Sequence, residues 1–212
     1  MPYKACIIQF SLTVLNAENR RLVVSKANPS KQTKKIKLTT MEYRRYKLAG
    51  GTYFFTINLL NRKSSLLTDR SDLLKLAFNY VKQRHPFEVP AIVVLPDHIH
   101  FIMKLPEADD DFPKRIMLIK QYFSRHIPKT EIIKTSRKNK GERAIWQRRY
   151  WEHCIRDEQD YQHHIDYIHI NPVKHGWVNH ASDWQHSSIH QYIKRGIYPE
   201  NWAADIELLP DD

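Results

Sequence analysis

Between Thr52 and Asn171 the apolar residues switch repeatedly between a period of two and a period of 3.6, and the order of those switches limits the fold. "TYFFTINLL" (52–60) is dense in aromatic and β-branched residues and reads as a strand. "SDLLKLAFNYVKQRH" follows with Leu73, Leu76, Ala77, Tyr80 and Val81 at helical spacing behind a Ser71/Asp72 cap. "FEVPAIVVL" predicts a second strand, with Pro90 marking an edge or bulge. A Pro96-Asp97 turn then returns the chain as "HIHFIMKL". "DFPKRIMLIKQYFSRHI" is a helix with Pro113 in its first turn, and the acids of "EADDD" (107–111) suit its N-terminus. "YWEHCIR" is a short strand, and "DEQDYQHHIDYIHIN" is a helix capped by Asp157 and stopped by Pro172. Strand, helix, strand, strand, helix, strand, helix is the order of an α+β, ferredoxin-like antiparallel sheet with helices packed on one face.

Charge places an appendage ahead of that domain. The net charge is +11, but residues 1–40 hold 8 Lys/Arg against 1 Asp/Glu, leaving +4 for the remainder. "NPSKQTKKIKLTT" (28–40) is cationic and nearly without bulky apolar residues, which predicts a basic, disordered arm. Residues 1–40 are therefore read as an extension, with Met41 as the expected natural start, 41–205 as the domain and 206–212 as a tail. The apolar runs fall far short of the roughly 20 residues a bilayer span needs. Two cysteines, Cys6 and Cys154, make neither a disulfide framework nor a thiolate metal site. A cytoplasmic protein with an anionic partner is the expectation.

Two patterns carry chemistry. Alternation along "HIHFIM" puts His98, His100 and Ile102 on one strand face and Ile99, Phe101 and Met103 on the other. Imidazoles at i and i+2 can share one divalent ion, although such pairs are more often ordinary surface histidines. On the last helix His163, Tyr167 and Asn171 recur every four residues and line one face, while Ile165 and Ile168, with Tyr161, form the stripe for the core. A phenol beside an amide suits attack on a phosphodiester with the amide oxygen helping to hold a metal. A phenol with an ordinary pKa of about 10 needs a cation or a base nearby to do this. A half-buried packing tyrosine remains the alternative, and the helix offers both Tyr161 and Tyr167.

"PDHIHFIM" followed by "WQRRYWEHCIRDEQDYQHHIDYIHINPVKHGWV" closely resembles the REP-associated tyrosine transposases, the domesticated branch of the single-tyrosine HUH (His, hydrophobic, His) transposases. "YRRYKLAGGTYFFTINLLNR" and "FEVPAIVVLPDHIHFIMKLPEADDDF" share the likeness, which runs from residue 41 to about 205. The resemblance implies His98 and His100 as metal ligands, Tyr167 as the nucleophile on a C-terminal helix, and Asn171 where relatives place a polar third ligand, commonly glutamine. His163, one turn from Tyr167, is then a supporting residue, and the remaining histidines, His175 among them, are surplus.

The implied reaction is a Mg²⁺- or Mn²⁺-dependent transesterification on single-stranded DNA hairpins of the REP type. Tyr167 would form a 5′-phosphotyrosine and free a 3′-OH that can reverse the step. Arg148, Arg149 and Arg156 are expected on phosphates, and Arg44 and Arg45 at the hairpin foot, while the "KTSRKNKGER" loop is left open. Relatives work as monomers or as homodimers. The competing reading is a hairpin-binding protein on the same fold, stacking bases without catalysis and indifferent to metal. A rolling-circle replication initiator is disfavoured because no helicase segment or second tyrosine motif is present. A zinc-stabilised structural domain is disfavoured for want of cysteines.

Overall fold

The computed structural model describes residues 47–202, so the readings made of residues 1–40, of Arg44 and Arg45 and of the 206–212 tail lie outside the described residues. The elements follow the expected order: β1 (Thr52–Asn58), α1 (Leu66–Asp69), α2 (Ser71–Arg84), β2 (Ile92–Val94), β3 (His98–Lys104), α3 (Phe112–Arg125), α4 (Thr135–Lys138), β4 (Trp151–Cys154), α5 (Glu158–Lys174) and α6 (Ile189–Lys194). A 3₁₀ turn at Ala181–Asp183 precedes α6. The sheet order is β2-β3-β1-β4 and every pairing is antiparallel.

Strand alternation divides the sheet into two chemically different faces. Tyr53, Phe55 and Ile57 of β1 and Ile99, Phe101 and Met103 of β3 point to one face. There Leu74, Ala77, Phe78 and Val81 of α2 and Phe112, Ile116, Ile119 and Phe123 of α3 cover them. Each such side chain contributes roughly 1.5–3 kcal/mol when fully buried, so this face holds most of the stabilising burial. The opposite face carries Phe54 and Ile102 with His98 and His100, and it receives Ile165, Ile168 and Val173 of α5 together with Ile189 and Tyr192 of α6. Thus α2 and α3 form the helical layer on one face, and α5 lies across the other.

Three local expectations shift. On α2 the buried stripe is Leu74, Ala77, Phe78 and Val81, whereas Leu76 and Tyr80 are exposed. Because α1 runs almost directly into α2, Arg70 occupies the N-cap position, and no side chain caps the helix. Asp111 does cap α3, accepting from the Lys114 amide at 3.3 Å, and Asp157 caps α5, accepting from the Asp160 amide at 2.8 Å. Pro172 does not stop α5, which runs two residues past it to Lys174 without the amide hydrogen bond that proline removes. Just past its end Gly176, at a φ of 67°, lets its N–H reach the Val173 carbonyl and the Trp177 N–H reach Pro172.

Candidate active site

β3 brings the two histidines together in the sheet itself. Their ring centroids are 4.8 Å apart and nearly perpendicular, and both side chains are buried. Each uses Nδ1 on a neighbour. His98 Nδ1 lies 2.7 Å from Oδ1 of Asp97, and since an ionised carboxylate only accepts, Nδ1 carries the proton. His100 Nδ1 lies 2.8 Å from the Thr56 hydroxyl on the adjacent strand β1. The His98 Nε2 is thereby left as a lone-pair donor, and His100, with its Nδ1 accepting or donating on a hydroxyl, has its ring position fixed by the same contact, an arrangement that suits a histidine held ready for a metal. Burial is the main cause that lowers the pKa of His98 and drives that of His100 well below its ordinary value, with neighbouring histidines adding to the effect at His100. Neutral imidazoles are the form a metal requires.

Helix α5 runs past this pair with one face. The Tyr167 ring sits 5.3 Å from His100, edge-on, and two turns later the His175 ring sits 5.5 Å from His98. Asn171 lies midway on the same face and is fully buried, with neither amide oxygen nor amide nitrogen hydrogen-bonded. A buried carboxamide without a partner costs on the order of 1–3 kcal/mol, which a coordinated cation would offset. Two imidazole nitrogens and an amide oxygen suit Mn²⁺ or Zn²⁺ and admit Mg²⁺, so the residues present fit a divalent metal.

Phe54 packs the site from the sheet. Its ring is stacked 5.5 Å from His100 and stands edge-on to Tyr167 at 5.8 Å. It also reaches His164 at 4.7 Å, so His164 makes the aromatic contact here, while His163 is half-buried one turn before Tyr167. On the outer side Arg62 reaches Asp97 at 2.7 Å, and beside it opens a groove of about 670 Å³ lined by Lys63, Trp177 and Trp184.

A second cluster stands nearby, with ligand-capable atoms of His153, Asp160 and His164 within 4.8 Å of one another. These groups are already bonded internally: His153 Nε2 lies 2.8 Å from Asp160 Oδ2, and His164 Nδ1 lies 2.7 Å from the Asp160 carbonyl. Burial alone would raise the Asp160 carboxyl, yet bonds from His153 and the Arg156 amide hold it down at about 2. The two imidazoles lie nearly parallel at 15°, so their in-plane lone pairs do not converge on one ion. We read this cluster as the brace between β4 and α5.

The expected phosphate contacts separate on inspection. Arg148 is tied to Glu142 at 2.7 Å, whereas Arg149 is exposed, and Arg156 puts Nε 3.3 Å from Asp160 while leaving 75% of its side chain in solvent. In the 129–143 loop Arg143 is spent on Glu131 and on the carbonyls of Ser124, Ile127 and Pro128. Among residues the sequence did not single out, Asp97, Thr56, Phe54 and His175 all border the histidine pair. Only His175 had a signal, since it continues the Tyr167–Asn171 spacing by one further turn.

Comparisons with known proteins point to one family. Residues 49–171 match the family of IS200-like transposases. The chain is 50% identical over 165 residues to the REP-associated tyrosine transposase of Escherichia coli (strain K12), covering 78% of this chain and 92% of that protein. A Haemophilus influenzae protein is 47% identical over 167 residues, 78% of this chain and 95% of its own. A solved REP-associated tyrosine transposase bound to a REP hairpin superposes with a TM-score of 0.67 at 48% identity, covering 81% of this chain and 98% of that one. From more than half its length and from relatives matched nearly end to end, the chain belongs to the IS200-like transposases, on their REP-associated tyrosine branch.

Proposed function

We propose that this protein cuts and rejoins single-stranded DNA beside REP-type hairpins in the cytoplasm, with Tyr167 as the nucleophile and His98, His100 and Asn171 as ligands for Mg²⁺ or Mn²⁺. The observation that carries the reading is the placement of the Tyr167 ring 5.3 Å from His100, above two imidazoles whose Nδ1 atoms are both engaged. A divalent ion held by His98, His100 and Asn171 would neutralise charge on the scissile phosphate. The Tyr167 oxygen gives up its proton and attacks phosphorus in line, the P–O3′ bond breaks, and the 3′-oxygen leaves as a hydroxyl after taking a proton. One phosphodiester is exchanged for another, so the same 3′-OH can reverse the step without an external energy source. Asp97 and Thr56 hold the two rings by their Nδ1 edges, from which His98 and His100 would hold the metal, and Phe54 limits the tilt of Tyr167. A relative solved with a REP hairpin supports the substrate class.

Hairpin oligonucleotides bearing a single-stranded flank, taken from the repeats near the gene, are incubated with Mg²⁺ or Mn²⁺. A covalent 5′-linked protein–DNA adduct that disappears in Tyr167→Phe and with EDTA is the expected result. Hairpin binding without adduct, unchanged by the substitution and by EDTA, would overturn catalysis and leave a binding protein on the same fold.

A further inference from the structure

Trp151 begins β4 at the edge of the sheet and is 52% exposed, unusual for an indole. Its position in the register is what gives it meaning. Thr56 pairs with His100 on one side and with Trp151 on the other, so His100, Thr56 and Trp151 form one row across three strands. Thr56 bonds His100, and Phe54 touches both His100 and Trp151, so all four side chains belong to the same face. Two strand spacings put the Trp151 backbone about 9–10 Å from that of His100.

The indole is also held in place. His153 lies parallel to it at 5.9 Å with only 7° between the planes, and Phe54 stands edge-on at 5.6 Å. His153 is itself anchored on Asp160 at 2.8 Å, which also receives the Arg156 amide at 3.0 Å. The exposed part of the ring is thus directed away from the protein rather than folded onto it. Two cations flank it in the chain: Arg149 is exposed with no ion pair among the described residues, and Arg156 rests Nε on Asp160 at 3.3 Å with three-quarters of its side chain exposed, which leaves the guanidinium edge beyond Nε open. The other strongly exposed aromatics are partnered differently. Tyr80 packs on Tyr122 and carries Arg84, and Trp177 leans on Trp184.

From this juxtaposition we infer that Trp151 is a stacking shelf for an unpaired nucleobase next to the bond being cut, with Arg149 and Arg156 on the adjoining phosphates. An aromatic face with flanking cations is the chemistry that grips single strands with little regard to base identity. The shelf rests on the proposed cutting of single-stranded DNA, and it adds where the strand leaves the catalytic row: over β4, at the opposite edge from β2.

The test uses full-length Tyr167→Phe protein, so that binding is read without cleavage. Hairpin oligonucleotides carry one abasic position at a time along the flank, and affinity is measured by fluorescence anisotropy. In the Trp151-containing protein one abasic position adjoining the cleavage site should weaken binding roughly tenfold. In Tyr167→Phe/Trp151→Ala that penalty should vanish, and Trp151→Phe should restore most of it. Equal abasic penalties with and without the indole would overturn the shelf while leaving the cutting reaction standing. Failure of the Trp151-containing protein to bind any hairpin would overturn both. Thermal melting of the Trp151→Ala protein should match that of its parent, which confines a positive result to the shelf.

Discussion

His98 and Asp97 are adjacent in the chain and also bonded side chain to side chain, Nδ1 to Oδ1 at 2.7 Å, in a nearly buried pair. The carboxylate also meets Arg62 at 2.7 Å, so one group links an exposed arginine to the first histidine of the pair. Fixing Nδ1–H on Asp97 decides both the tautomer and the rotation of His98.

Replacing Asp97 by asparagine keeps the shape but allows either ring nitrogen to carry the proton. Removing such a partner of a ligating histidine ordinarily costs 10–100-fold in metal affinity. We expect Mn²⁺ affinity of the Tyr167→Phe protein, measured by titration calorimetry, to fall by about that factor in Asp97→Asn, with the fold retained. Unchanged affinity would show that His98 does not ligate through Nε2.

Asn171 offers a sharper separation of function from stability. Its amide is fully buried and unbonded, so the metal-free fold bears the desolvation of both atoms. Asn171→Leu, similar in volume, should raise stability by about 1 kcal/mol in EDTA, a gain of a few degrees in Tm for a domain of this size. The same change should weaken Mn²⁺ binding and lower the rate of adduct formation. A lower Tm in EDTA would mean that the carboxamide is supported in the metal-free protein and is not waiting for a ligand.

How far the sequence carries can be judged from these residues. Alternation on β3 puts His98 and His100 on one face, because a period of two follows from strand geometry alone. The four-residue spacing likewise aligns Tyr167 with Asn171. What the pattern does not contain is the side of the sheet on which α5 lies. That depends on Phe54 and Ile102 needing cover from Ile165 and Ile168. It also follows from α2 and α3 having filled the other face. Phe54 and Thr56 look like ordinary strand residues until the register pairs them with Ile102 and His100. The α2 stripe is displaced for a similar reason: Leu76 and Phe78 are both apolar, and only contact with the sheet chooses Phe78.

Acid should loosen the basic loop through the Glu131–Arg143 ion pair. The Arg143 guanidinium holds the Glu131 carboxyl at about 2, from an ordinary value of 4.5. A carboxyl depressed in the folded state stabilises fully above its unfolded pKa and loses that contribution as pH falls towards the folded one. The window is therefore from about 4.5 down to about 2. Glu131→Gln should destabilise at pH 7 by roughly 1 kcal/mol, modest because the pair is partly solvated. It should also flatten the stability profile by up to one proton within that window. Urea melts of both proteins from pH 7 to pH 2.5 provide the check, and parallel profiles would discount the pair.

Phe54 contacts both His100, the proposed metal ligand, and Tyr167, the proposed nucleophile, and His164 and Trp151 also lie within 5.8 Å of its ring centre. Phe54→Leu preserves apolar cover over Ile165 and Ile168 and, as a change of shape at similar polarity, should cost less than about 1.5 kcal/mol. It removes the flat surface that limits both the His100 ring and the Tyr167 ring. Misplacement of a nucleophile by about 1 Å can reduce a rate 100-fold. We expect single-turnover adduct formation to slow at least tenfold, while Mn²⁺ affinity changes little because His98 and His100 keep Asp97 and Thr56. A rate that follows only the small loss of stability would reduce Phe54 to packing. A large loss of Mn²⁺ affinity would instead place its action on His100 alone.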